Sequence, residues 1–398
     1  MKLLHVIASM NPTSGGPCQG IRSSDAEMHL YGVQREIVSL DNPDNAFLGM
    51  DDFPIYALGP VKTPWQYSPK LLPWLIEHVC DFDVVIINGL WLYSSYAAWK
   101  AIRVVKKQIA KKNDGRKVPK IYVMPHGMLD PYFQRAADRR LKAIRNLIYW
   151  ELIEKHVVND ADGLLFTCEM EMVLARKTFK GYRPKKEMNV GYGIKPPPEY
   201  NDAMRKDFLE KCPEVEGEPY LLFLSRIHEK KGVDLLIDAY AKLIASGYPL
   251  PKLVIAGPGL VSSFGKRVHQ MAYSNPQLQD KVYFPGMLYG NAKWGALYGS
   301  DAFILPSHQE NFGIAVVEAL ACAKPVLISN QINIYMEIEA GGAGIIADDT
   351  IDGTIQMLKQ WLELSADKRR DAGNRALRIF NDNFHITSSS IAFTNAIK

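Results

Sequence analysis

The 398-residue sequence predicts an α/β protein of two doubly wound domains, each a parallel sheet with helices on both faces. Three observations lead there. Short apolar runs alternate along the chain with longer segments of helical periodicity, as parallel strands and their crossover helices do. The alternation stops once, at Lys195-Pro196-Pro197-Pro198-Glu199-Tyr200, and resumes at Glu218-Pro219-Tyr220; three consecutive prolines suit neither a helix interior nor a central strand. The length also exceeds what one ordinary core accommodates.

In the first half the expected strands are 3–8, 84–87, 121–124 and 164–167. In the second they are 220–224, 253–256, 282–284, 303–305 and 326–329. The run Leu3-Leu4-His5-Val6-Ile7-Ala8 has the look of a shortened leader, but it contains His5 and leads into Asn11-Pro12 and glycines, so it reads as a buried strand. Helical spacing of apolar residues is plain over 232–243. The domain limits that follow are 1–195, a linker at 196–218, and 219–385. A final helical stretch, 386–398, either stays with the second domain or crosses back to the first. No internal repeat or low-complexity tract interrupts this order.

Composition excludes other classes. With 47% hydrophobic and 23% charged residues the chain is a folded, soluble type rather than a disordered one. No apolar run approaches the roughly 20 residues of a membrane helix. Five scattered cysteines, Cys18, Cys80, Cys168, Cys212 and Cys322, form no C-x-x-C pair, which points to neither a disulfide framework nor a zinc site and to a cytoplasmic location. The net charge of +4 is uneven: 27 Lys and Arg stand against 20 Asp and Glu over residues 1–195, and 20 against 23 over the rest.

The chemistry-bearing residues gather after strands. Glu310 and Glu318 flank a Pro/Ser/Asn/Gly turn between strand 302–305 and a helix at 313–323, so one carboxylate belongs to the turn and the other to the helix. The carboxyl ends of parallel strands are where α/β folds bind ligands, and carboxylates there suit vicinal hydroxyls, as on a sugar or ribose. In Ser225-Arg226-Ile227-His228-Glu229-Lys230-Lys231-Gly232, which follows strand 220–224, a guanidinium and an ammonium lie beside a helix start, as a diphosphate would require. Ser14-Gly15-Gly16-Pro17 offers bare backbone amides after the first strand. Ala256-Gly257-Pro258-Gly259 also follows a strand but lacks the third glycine of a dinucleotide fingerprint. Each group, taken singly, also fits an ordinary solvated loop.

In order along the chain, Gly15-Gly16-Pro17, Asn88-Gly89-Leu90-Trp91, His126-Gly127-Met128-Leu129-Asp130-Pro131, Ser225-Arg226 with Lys231-Gly232, and Glu310 with Glu318 resemble the retaining, nucleotide-sugar-dependent glycosyltransferases of family 4. Those enzymes have the GT-B fold, two Rossmann-like domains facing a cleft. The variants here look most like members from bacterial exopolysaccharide clusters, including cyanobacterial envelope polysaccharides.

The resemblance implies that Arg226 and Lys231 bind the donor diphosphate, that Glu318 holds the ribose hydroxyls and that Glu310 holds the donor sugar. Asn311, Phe312 and Gly313 close around sugar and phosphate through their amides, Gly15 and Gly16 approach from the first domain, His126 lies beside the reacting sugar, and backbone near Met287 and Leu288 faces the base. It further implies a hexosyltransferase with no cofactor and no required metal, a nucleotide-sugar donor (UDP-glucose first, GDP-mannose second), and a saccharide or lipid-linked saccharide acceptor. Two departures stand out. Gly191-Tyr192-Gly193 replaces a frequent Pro-Asn-Gly, and Ala323 replaces a frequent glycine. Asp81-Phe82-Asp83 imitates an Asp-x-Asp metal motif but precedes its strand rather than closing it.

Without a metal, the leaving diphosphate is neutralised by Arg226, Lys231 and a helix N-terminus. Retention by double displacement or by same-face attack stays open on the residues, while the resemblance favours the second. Two rival readings differ in class. A GT-B nucleotide-sugar 2-epimerase would share the donor site. A basic peripheral membrane-binding protein is suggested by Lys100 to Lys120, whose cations suit the inner face of the plasma membrane. No nucleic-acid motif accompanies that charge.

Overall fold

The structure, a computed structural model, describes residues 1–12, 15–112, 115–135 and 140–398. It divides into two units, Met1–Gly193 with Ile386–Lys398, and Ile194–His385. Each contains one parallel sheet with helices on both faces, so the α/β class holds, with one Rossmann-like sheet in each unit.

The first unit's strands are β1 Lys2–Val6, β2 Gln34–Ser39, β3 Ile55–Ala57, β4 Val84–Asn88, β5 Lys120–Met124, β6 Gly163–Phe166 and β7 Glu187–Asn189. They lie in the order β3-β2-β1-β4-β5-β6-β7, all parallel. Every residue of β4 and β6 is buried, as expected of central strands covered on both faces. Three of the seven were not foreseen. β3 and β7 have three residues each at the sheet edges, and β2 opens with Gln34-Arg35-Glu36, which breaks the apolar signal. Arg35 is buried there because its guanidinium pairs with Asp25 at 3.0 Å and donates to the Ile21 carbonyl at 2.7 Å.

Helix α1, Gly16–Leu30, follows β1, and helix α2, Tyr93–Lys112, follows β4. α2 turns Ala97, Ala98, Ala101, Ile102 and Val105 into the core and leaves Arg103, Lys106, Lys107 and Lys111 exposed. Its large apolar residues are buried or partly buried, so its outer face is mainly cationic. Residues 113 and 114, within the Lys100 to Lys120 stretch, lie outside the described residues, as does Ser14. The C-terminal helix Ile386–Ile397 belongs to this unit: Phe393 and Ile397 join Leu3, Met28, Val84 and Ile86 in one core cluster.

The second unit's sheet is β10-β9-β8-β11-β12-β13, built from β8 Tyr220–Leu224, β9 Lys252–Ala256, β10 Val282–Gly286, β11 Ala302–Leu305, β12 Val326–Ser329 and β13 Gly344–Ala347. β13 was not foreseen; it ends the sheet and all four of its residues are only partly buried. Residues 196–218, read as a linker, lie within this unit and contain helix α3, Asp202–Leu209. α3 is capped by the Asn201 side chain, which accepts from Met204 N at 3.2 Å. It packs on α5, Gly290–Gly299, so closely that a Cβ on Gly295 would meet the Met204 carbonyl oxygen at 2.0 Å. Between these, α4 (Val233–Ala245) follows β8, and α6 (Ile314–Ala321) follows β11.

Candidate functional site

In the second unit, the carboxyl ends of β8 and β11 bring Lys231 against Glu310. After β8 the chain lies along the loop that follows β9, with Ser225 N donating to Ala256 O at 3.1 Å and Ile227 N to Pro258 O at 2.8 Å. Only glycine permits that approach. A Cβ on Gly257 would meet Ser225 O at 1.9 Å and one on Gly259 would meet Ile227 O at 2.4 Å, and both have positive φ. The Gly257-Pro258-Gly259 turn thus supports the 225–232 loop through backbone packing.

That loop closes with a single turn, Glu229–Lys231, and Gly232 at φ 64. A Cβ on Gly232 would meet the Pro306 carbonyl oxygen at 2.1 Å, so Lys231 is held against the end of β11. Lys231 is 7% exposed, and its ammonium pairs directly with the Glu310 carboxylate. The two segments are tied further by Lys230 O, which accepts from His308 N and Ser307 Oγ at 2.8 Å each. Glu310 is fixed from its other side by the loop after β12: its amide donates to Gln331 O, and Asn333 N donates to its carbonyl, both at 3.0 Å. The pair is therefore set by three strand ends rather than by its own side chains.

Gly313, at φ 78, turns the chain into α6. Glu318 lies within that helix, 2.8 Å from the Lys293 ammonium on α5. Lys293 was missed in the sequence, since a helical lysine carries no signal of its own. Phe312 is buried with its ring edge-on to Phe384, and the Asn311 side chain accepts from Asn333 Nδ2 at 3.3 Å. After β10, Met287 is exposed and Leu288 is buried. Arg226 is exposed and makes no ion pair among the described residues. Lys231 and Glu310 thus meet, whereas Glu318 has a different partner.

In the first unit, the motifs at 88–91 and 126–131 lie side by side. Asn88, the last residue of β4, accepts through Oδ1 from His126 Nε2 at 3.2 Å and donates through Nδ2 to His5 Nδ1 at 3.0 Å. Leu90 N donates to Met128 Sδ at 3.1 Å, and a Cβ on Gly89 would meet Met128 Cε at 3.0 Å. Burial lowers the His126 pKa to about 4 and, with Arg35 and His126 nearby, holds His5 well below the usual histidine range. Both rings are neutral at pH 7, so His126 offers hydrogen bonds rather than charge. The loop is clamped from behind by buried Glu171, which accepts from Gly127 N at 2.5 Å, Thr167 N at 2.8 Å and Thr167 Oγ1 at 2.6 Å.

Gly15, at φ 97, is the N-cap of α1 and Gly16 its first residue. Tyr192 donates its hydroxyl to Gly16 O at 2.8 Å, and its ring fills the space a side chain on Gly20 would need. The Gly191-Tyr192-Gly193 departure therefore serves to brace this glycine turn.

Glu154 is a further buried carboxyl that sequence reading missed. It ends the π-helical turn Trp150–Glu154 and accepts from Trp91 N and Ser95 Oγ at 2.7 Å each, while its second oxygen has no partner among the described residues. Burial pushes its pKa up to about 7 against those two hydrogen bonds. A carboxyl bound more tightly to its proton when folded stabilises fully below the unfolded value near 4.5, and that contribution is lost as pH rises through about 7. Glu154→Gln should therefore gain about 2–3 kcal/mol relative to the parent between pH 4.5 and 8. Urea unfolding at both pH values measures it; a pH-independent difference would show that the carboxyl is not the source.

Among the described residues no group of three or more His, Cys, Asp or Glu side chains is placed to hold a metal ion, and no helix is long and apolar enough to cross a membrane.

Residues 204–378, within the second unit, match the family model for glycosyl transferases group 1. It is 32% identical over 177 residues to alpha-monoglucosyldiacylglycerol synthase of Streptococcus pneumoniae, which is 43% of this chain and 38% of that protein. It is 29% identical over 170 residues to mannosylfructose-phosphate synthase of Agrobacterium fabrum, 40% of this chain and 36% of that protein. The chain thus spans under two fifths of the length of these two relatives. Over 100% of this chain and 99% of the other, the fold is similar to that of Anabaena HepE in complex with UDP and glucose, with a TM-score of 0.73 and 16% identity. A glycosyltransferase of Rickettsia africae gives a TM-score of 0.73 at 17% identity, over 100% of this chain and 97% of that one. At these identities the likeness is one of fold.

Proposed function

We propose that the protein is a retaining hexosyltransferase, which moves a sugar from a nucleotide-sugar donor to a saccharide or lipid-linked saccharide in bacterial polysaccharide synthesis, at the cytoplasmic side of the membrane. The observation that carries this is the Lys231–Glu310 pair at the ends of β8 and β11, inside the group 1 region. A buried ammonium already paired with a carboxylate can turn to an incoming diphosphate while the freed carboxylate accepts sugar hydroxyls. Arg226 supplies the second cation, Glu318 takes the ribose hydroxyls, and the amides of Asn311 to Gly313 close on sugar and phosphate. The leaving group is neutralised by the two cations and no metal is required.

UDP-glucose is the first donor, supported by the complex of HepE with UDP and glucose. GDP-mannose is the second, supported by the similarity to a GDP-mannose-dependent mannosyltransferase of Mycobacterium tuberculosis. A thermal-shift screen over UDP-, GDP- and ADP-sugars decides between them, because a ligand bound only by the folded state raises Tm in proportion to its affinity. The expected result is a rise with UDP-glucose and a transfer rate unchanged by excess EDTA. A flat response to every nucleotide-sugar would remove the reading, and strict dependence on added magnesium or manganese would remove its metal-free part.

A further inference from the structure

Helix Arg140–Tyr149 and the turn Trp150–Glu154 that extends it are built with their polarity reversed. The side chains turned inward, at helical spacing, are Ala143, Asn146, Trp150 and Glu154, so two of the four buried positions are polar. Turned outward are Leu141 at 84% exposure, Ile144 at 56%, Leu147 at 50%, Ile148 at 58% and Leu152 at 71%. On an ordinary surface helix the large aliphatic residues face the core. Here Leu141, Ile144, Ile148 and Leu152 recur every three or four residues and form one continuous outer stripe.

Exposed Arg140, Lys142 and Arg145 border it. Successive residues of a helix are about 100° apart, which places Arg140 on one side of the stripe and Lys142 and Arg145 on the other. The acid on this outer surface, Glu151, is paired with Lys155 at 2.8 Å. The stripe is therefore apolar along its centre and positive along both margins. α2 presents mainly cations outward and, among the described side chains, exposes no large aliphatic one to insert.

We propose that this segment is an interfacial anchor that lies in the plane of an anionic lipid surface, its leucines and isoleucines among the acyl chains and its three cations at the phosphates. Burial of aliphatic side chains and attraction to anionic headgroups add in such a helix, which is what this combination of residues serves. A second copy of the chain would set the same cations against one another, so charge disfavours self-association as the use of the stripe. The inference does not depend on which sugar is transferred.

The test is co-sedimentation of the full chain with vesicles of phosphatidylcholine, with and without phosphatidylglycerol, at low and high salt. Binding should require phosphatidylglycerol and weaken as salt rises. The double variant Leu141→Glu/Ile148→Glu, at exposed sites that leave the circular dichroism and Tm of the parent intact, should bind at least about tenfold more weakly, since it removes two inserted groups and adds two like charges to the lipid. Lys106→Glu/Lys107→Glu on α2 should bind as the parent does. Equal binding by the parent and the stripe variant overturns the proposal, as does loss of binding confined to the α2 variant. A lipid-free dimer that the stripe variant abolishes in sedimentation velocity also overturns it and assigns the stripe to a second copy.

Discussion

Lys231→Ala should lower turnover by about 10²–10³-fold with the fold intact, the loss typical of removing a group aimed at charge that develops in the transition state. The structure adds a feature that sequence spacing does not suggest. Lys231 is itself the counter-charge of Glu310, so the single variant also leaves that carboxylate without its partner. Lys231→Ala/Glu310→Gln should therefore cost clearly less than the sum of the two single losses in log rate, because the second change removes the charge that the first one stranded. Arg226, exposed and outside any ion pair among the described residues, has no such coupling, and Arg226→Ala should add independently to either variant. Initial rates over the four combinations settle it. A folded Lys231→Ala enzyme with parental turnover would sink the assignment of the diphosphate to this loop.

The two glutamates should separate binding from transfer. Glu318, if it holds ribose hydroxyls, touches a part of the donor that does not react, so Glu318→Gln should weaken donor and free nucleoside diphosphate alike. A lost hydrogen bond to a charged group costs roughly 1.5–3 kcal/mol, which is about tenfold or more in Kd. The Lys293 ammonium, 2.8 Å from that carboxylate, loses its partner as well. Glu310→Gln should leave diphosphate affinity nearly unchanged while transfer falls by a similar or larger factor, since only the placement of the reacting ring is disturbed. Calorimetry with the nucleoside diphosphate, set beside initial rates with the whole donor, reads both quantities. Equal loss of diphosphate affinity in the two variants would show that the roles are wrongly divided.

The strands legible in the sequence are those buried on both faces. β4, β6, β11 and β12 each carry a buried run of three or four large apolar residues and announce themselves, whereas β2 hides behind Gln34-Arg35-Glu36, β3 and β7 have only three residues each, and β13 has only two large apolar residues, Ile345 and Ile346, both half-buried. The carboxylates and cations of the second unit were visible as residues after strands. Their pairing was not, because Lys231 meets Glu310 across 79 positions and that depends on β8 and β11 being neighbours in the sheet. Lys293, Tyr192, Glu171 and Glu154 were invisible for the same reason: each acts on a partner in another segment that only the folded chain brings to it. The stripe at 141–152 shows the converse, since its helical period alone would assign it to a core.

The return of the C-terminal helix to the first unit bears on how the protein is made. Phe393 and Ile397 complete a core whose other members include Leu3, Met28 and Val84, yet the whole of Ile194–His385 is translated in between. At about 5–20 residues per second, ribosomes need roughly 10–40 s for that interval. The contiguous second unit can finish folding as it emerges, while the first, although born earlier, waits with Leu3, Met28 and Val84 uncovered. The older half of the nascent chain is thus the one that depends on chaperones for longer, and a stall or premature stop anywhere before Ile386 leaves it unfinished.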